Sequence, residues 1–243
     1  TFTVHDGTVI DGIVAGGAGI DTSVYDIDTS AGISAFTGFE RLTKTGAGVL
    51  EVRGPADSDV TEVEVLGGRL DVTASGSIGS VTRATVGSGA TLAIDGGFSF
   101  TGGADIFDVA GTVSSNGALD MLDGNDTLIL HDGANLGGLA APVDGGTGTD
   151  ALIADIASSA TLGGVVGFET LTKDGTGSLA VTGSTAATFE RVHVKNGLLD
   201  VATGGQLVAQ QARVETGAVL NGEGHFDFTA AADTFEVAGM VSG

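Results

Sequence analysis

The chain contains no cysteine and no tryptophan, two prolines and a single tyrosine, Tyr25. Without cysteine there is no disulfide framework and no thiolate zinc site. Without tryptophan and with one tyrosine, the usual aromatic platforms for sugars are missing. Positive charge is also scarce: 9 basic residues stand against 31 acidic ones, a formal net charge of -22. Such a polyanion repels nucleic acid and anionic lipid, so neither is expected as a partner. The acidity is spread along the chain, as on a solvated surface, and is not gathered into a tail. No apolar run approaches the length of a membrane-spanning helix, and no signal peptide stands at the N-terminus.

What is abundant is glycine, 43 of 243 residues, within a chain that is 42% hydrophobic. The apolar residues are mainly Val, Leu, Ile, Ala and Phe, with turn residues throughout. That mixture reads as all-β and argues against a disordered acidic segment.

The strongest signal is internal repetition. His5-Asp6-Gly7 recurs as His131-Asp132-Gly133, and Gly16 to Asp21 recurs as Gly145 to Asp150. GFERLTKTGAGVLEV (38–52) recurs as GFETLTKDGTGSLAV (167–181), identical at 10 of 15 positions. FSFTGGADIFDVAGTV (98–113) recurs as FDFTAAADTFEVAGMV (226–241). The offset stays between 126 and 129 residues, which divides the chain into units of approximately 1–126 and 127–243. A shorter period lies inside. Apolar strands begin near Phe2, Ser23, Leu42, Val63, Val86, Phe107, Leu128, Leu152, Leu171, Val192, Val214 and Phe235, in steps of 19 to 24 residues.

Within each step the apolar residues alternate, so one side chain points inward and the next outward. Glycine falls between the alternating pairs, where the backbone must turn sharply. A coil of roughly 21 residues with two or three short strands closes one turn of a solenoid. The expectation is a single parallel β-helix over residues 1–243, about 12 turns of roughly 21 residues and on the order of 55 Å long. Its two cut ends would expose strand edges and invite end-to-end self-association.

Leu42-Thr43-Lys44-Thr45-Gly46-Ala47-Gly48-Val49-Leu50-Glu51-Val52 resembles the passenger-associated transport repeat of bacterial autotransporters. Leu171 to Val181, LTKDGTGSLAV, resembles it too. Both follow the family's L-T-K-x-G-x-G-x-L-x-L strand–corner–strand pattern, with Val in the last position. The resemblance implies a right-handed β-helical passenger, exported through the periplasm and outer membrane and displayed on the cell surface. It implies a C-terminal barrel outside this segment, and adhesion to a host surface, an extracellular-matrix protein or a glycan. The chain opens in mid-pattern at Thr1-Phe2-Thr3-Val4, as a segment of such a passenger would.

Gly145 to Ile153 also fits the calcium-binding nonapeptide G-G-x-G-x-D-x-U-x. Gly16 to Asp21 matches its first six positions, and Asp123 to Leu128 its latter part. Asp21, Asp126 and Asp150 are therefore the calcium candidates, carboxylates being hard ligands suited to that ion. The copies are isolated in sequence, about 24 residues apart at Asp126 and Asp150, with no tandem partner. On that reading the aspartates cap their own turns, and no cofactor is assigned.

No catalytic residue is assigned either. Parallel β-helices host carbohydrate-active enzymes, so the fold leaves that class as an alternative. The basic residues are scattered, and the net charge opposes an acidic sugar. His5 and His131 stand six turns apart, and alternation points His193 outward; they and His225 read as surface residues. Lys44 and Lys173 read as outward-pointing turn lysines. The sequence thus favours a structural and adhesive rod, with a calcium-stabilised secreted module as a further alternative.

Overall fold

The structure is a computed structural model, and it describes residues 1–8, 10, 13–55, 60–117, 119–184, 187–228 and 234–243. Part of the repeat copy at 226–241 and the side chain of Phe228 lie outside the described residues.

Every described strand pair is parallel, and no helix occurs among the described residues. Two long sheets run the length of the molecule, one of 13 strands and one of 11, with shorter sheets at the third side. The chain is a parallel β-solenoid. Its first face is built from Phe2–His5, Thr22–Asp26, Arg41–Thr45, Glu62–Val65, Arg83–Val86, Ile106–Val109, Thr127–Leu130, Ala151–Asp155, Thr170–Asp174, Ala187–Val194 and Gln206–Val214. A last level holds His225–Phe228 and Thr234–Val237, which both pair with the strand before them. We number these levels 1 to 12.

The register follows one inward column: Phe2, Ser23, Leu42, Val63, Ala84, Phe107, Leu128, Leu152, Leu171, Val192, Ala212, Phe235. Eleven steps separate Phe2 from Phe235, an average of about 21 residues. The solenoid therefore makes about 11 turns, one fewer than the count of strand starts suggests, because twelve levels are joined by eleven connections. Two strands begin earlier than expected: Ala84 and Ala212, not Val86 and Val214, align with the column. The slip is two residues, so the buried face is unchanged. Residues 126 to 129 apart fall at the same place in the column, six levels on.

Alternation sets the core. Leu42, Val63, Phe107, Leu128, Leu152 and Leu171 are buried on the first face. Leu50, Leu70, Leu92, Val113, Leu179 and Leu199 meet them from the second. Corner N–H groups also donate to the preceding level, as Leu66 to the Lys44 carbonyl (2.8 Å) and Glu215 to that of Val194 (2.9 Å). Each level is thereby held by its neighbours in both hydrogen bonds and apolar contact. The second face slips register once, between Thr112–Ser115 and Asn135–Leu139, where Gly137 and Gly138 interrupt the side-chain pattern.

Candidate functional site

Three polar features flank the first face: its outward side chains, a corner after its strands and a corner before them. The outward side mixes charged residues such as Arg41, Glu62, Arg83 and Asp108 with apolar ones such as Ile129 and Ile153. A shallow groove of about 290 Å³ crosses levels 10 to 12, lined by Arg191, His193, Gln211, Arg213, Thr234 and Glu236 among others. Its cations are matched by carboxylates. Arg213 reaches Glu215 at 2.9 Å and Glu236 at 3.5 Å, and His193 Nε2 lies 3.0 Å from Glu215. His193, then Arg213, holds the Glu215 carboxyl below its usual range. The other histidines also face solvent, His131 against Asp108 (3.1 Å), His5 against Asp26 (3.5 Å) and His225 against Asp227 (3.7 Å). Tyr25 lies in the core, where burial pushes its phenol up to about 12.

The corner after the strands overturns the expected role of the lysines. Lys44 and Lys173 point inward and are fully buried. The register requires it: Lys44 stands between Tyr25 and Val65, and Lys173 between Ala154 and Val194, all core positions. Lys44 Nζ donates to the carbonyls of Ile27 (3.2 Å), Thr45, Gly46 (2.9 Å) and Gly67 (3.3 Å), so one ammonium ties levels 2, 3 and 4 together. Lys173 Nζ donates in the same way to the carbonyls of Asp174 (2.5 Å), Gly175 (2.9 Å) and Asn196 (3.3 Å), joining levels 9 and 10. Glycine turns the chain over the ammonium, at φ +74° for Gly46 and +73° for Gly175. A Cβ at either would collide with the Ile27 or Ile156 backbone one level back. Burial pushes both lysine pKa values down, and nearby aspartates oppose the shift.

The recurring His-Asp-Gly motif belongs to this corner. Asp6 Oδ1 accepts the N–H groups of Asp28 (3.0 Å) and Thr29 (3.1 Å). Asp132 Oδ1 accepts those of Ala157 (2.7 Å) and Ser158 (2.8 Å). These backbone bonds, led by Thr29 and Ser158, hold both carboxyls below their ordinary value.

The corner before the strands carries the calcium candidates. Each carboxylate accepts the N–H of the residue one level earlier: Asp105 to Asp126 (2.8 Å), Asp126 to Asp150 (2.7 Å), and Asp150 to Glu169 (2.5 Å). Asp126 and Asp150 are therefore stacked on adjacent levels, contrary to the expectation of isolated copies; one turn here is 24 residues long, so distance in sequence becomes one step in space. They cap the preceding level and not their own turn. Asp21 repeats the arrangement toward Glu40 (2.6 Å) but lies five levels from Asp126. Asp105 uses both oxygens on Thr101. Asp126 and Asp150 do not: both are buried, and Oδ2 of each has no hydrogen-bond partner. Burial, then the charges of Asp150 and Asp105, pushes the Asp126 carboxyl up to about 6 against the pull of its backbone bond. Asp150 is also raised, by burial first and then by Glu169 and Asp144. Among the described residues no group of three or more His, Cys, Asp or Glu side chains gathers around one point.

Sequence reasoning missed both the buried lysines and the stacked aspartates. The signal for the lysines was present, since Lys44 and Lys173 follow Leu42 and Leu171 by two and so share their inward parity. No known family model matches this chain, and neither curated sequences nor solved structures give a match.

Proposed function

We propose that this chain is a stiff, adhesive segment of a bacterial surface-displayed passenger of the autotransporter type. It works by geometry and not by catalysis. The observation that carries the reading is the pair of L-T-K-x-G-x-G corners. Each places its two leucines, Leu42 and Leu50 or Leu171 and Leu179, in the core and folds its glycines over a buried lysine. The motif is thus a structural joint that repeats six levels on, as a rod-building element should. Eleven steps at about 4.8 Å give a rod of about 53 Å, long enough to hold a binding face away from a cell surface. Level-by-level stacking also suits export through a barrel, because each turn can settle on the one before it as the chain emerges.

The partner in this reading is a host matrix protein or glycan on the outward faces. Binding of the purified chain to an array of matrix proteins and glycans tests it. Saturable binding that free chain competes away is expected. Failure to bind any member above a charge-matched control would remove adhesion and leave a spacer.

A further inference from the structure

We propose that the stacked pair Asp126 and Asp150 binds one calcium ion between levels 7 and 8. Two independent features of the structure lead there. The first is spacing. The two carboxylates occupy the same column one level apart, and one level of a parallel sheet is about 4.8 Å. Calcium binds oxygen at about 2.3–2.6 Å, so the level spacing matches twice that distance, one oxygen being drawn from each level.

The second is the pair of buried oxygens with nothing to bind. Oδ1 of each aspartate is occupied by a backbone N–H, while Oδ2 is buried and unpartnered. The only other such oxygen among the described residues is Asp71 Oδ1, and Asp71 is already paired through Oδ2 with Arg69 at 3.1 Å. Around Asp126 and Asp150 the charges are Asp105, Glu169 and Asp144, all of one sign. A buried carboxylate either takes up a proton or is held charged by a positive group beside it, and no lysine or arginine contributes at either carboxyl.

Two carboxylates alone do not complete a calcium site, and turn carbonyls are suited to supply the remaining oxygens. The backbone beside the pair is glycine on two successive levels, with Gly124 (φ +141°) stacked on Gly148 (φ +145°). A Cβ on Gly124 would run into the Gly103 carbonyl and lie 2.9 Å from Asp126 Oδ1. A Cβ on Gly148 would run into the Gly124 carbonyl and lie 3.3 Å from Asn125 Oδ1. The carbonyls of Gly103 and Gly124, from levels 6 and 7, thus lie close against this glycine stack, with Asp126 Oδ1 and Asn125 Oδ1 beside them. Irregular oxygen sets of this kind suit calcium better than magnesium, which demands a near-octahedral shell.

The test uses the whole chain, stripped with chelator and titrated with calcium chloride in a calorimeter. One ion per chain is expected, with a melting temperature higher by about 5–10 °C at a hundredfold excess over the dissociation constant. Magnesium at the same concentration should give a small fraction of that shift. Asp126→Asn and Asp150→Asn keep the oxygen that accepts the backbone N–H, so both should fold and lose the calcium shift; Asp21→Asn should keep it. No binding heat and no thermal shift at millimolar calcium would overturn the proposal. So would a shift that survives both substitutions, or one abolished by Asp21→Asn alone. None of these outcomes touches the rod reading, which needs no metal.

Discussion

Lysine inside a β-solenoid is costly unless its ammonium is fully engaged, and here carbonyl oxygens do the engaging. That makes a sharp prediction. Lys173→Met keeps the length and packing of the side chain but removes the ammonium from the carbonyls of Asp174, Gly175 and Asn196, of which Asp174 keeps the Ile156 N–H. We expect a loss of about 3 kcal/mol, read as a fall in melting temperature of roughly 6–12 °C. Lys195→Met, at an exposed position one level on, should change stability by less than about 0.5 kcal/mol. Equal stability of the two variants would sink the capping role. Asp6 and Asp132 give a second prediction, through pH. Their folded carboxyls are held below the ordinary value of 3.8, so their contribution is complete above that pH and is lost as pH falls through the lower folded value. The double variant Asp6→Asn, Asp132→Asn should melt below the wild type at neutral pH, and the gap should close below about pH 3.8. A gap that stays constant through that range would show that charge is not what these residues contribute.

Strands and corners were legible in the sequence to very different degrees. The strands were read well, because a period of two is a property of each segment alone: Val63 and Val65, or Leu179 and Val181, declare their own inward face. The two misplaced starts, at Val86 and Val214, chose the larger apolar residue over Ala84 and Ala212. Volume is a poor guide to position in a column where Phe107 and Ala84 are direct neighbours. The corners were misread because their chemistry is set by the next level, which sequence order hides. Asp126 and Asp150 are partners only because one turn happens to span the residues between them. Lys44 looked like a surface residue because the carbonyls that solvate it come from Ile27 and Gly67, on the levels either side. Alternation had placed it correctly, and the general habit of lysine to face water overrode the local pattern.

Nearest-neighbour stacking also decides what happens at the last level. Phe235, Val237 and Val241 occupy inward positions yet are 42%, 46% and 44% exposed, whereas Ala212, Val214 and Leu220 one level earlier are 4%, 1% and 1% exposed. The long repeat says what surface fits there. Level 12 repeats level 6, with Phe235 and Glu236 standing where Phe107 and Asp108 stand; level 1 repeats level 7, with Phe2, Val4 and His5 for Leu128, Leu130 and His131. Inside the rod, level 6 meets level 7 by pairing Phe107 with Leu128 and Val109 with Leu130, and by an Asp108–His131 contact of 3.1 Å. Level 1 of one molecule on level 12 of another would rebuild that junction from equivalent residues, with Glu236 facing the histidine. For the 243-residue chain taken by itself we therefore expect reversible head-to-tail association, seen as a sedimentation coefficient that rises with concentration. Val237→Lys sets an ammonium in the apolar centre of the junction and should hold the chain monomeric while leaving the earlier levels folded. A wild-type chain that sediments as one unchanging monomer at every concentration would show that strand matching alone is too weak to join two rods.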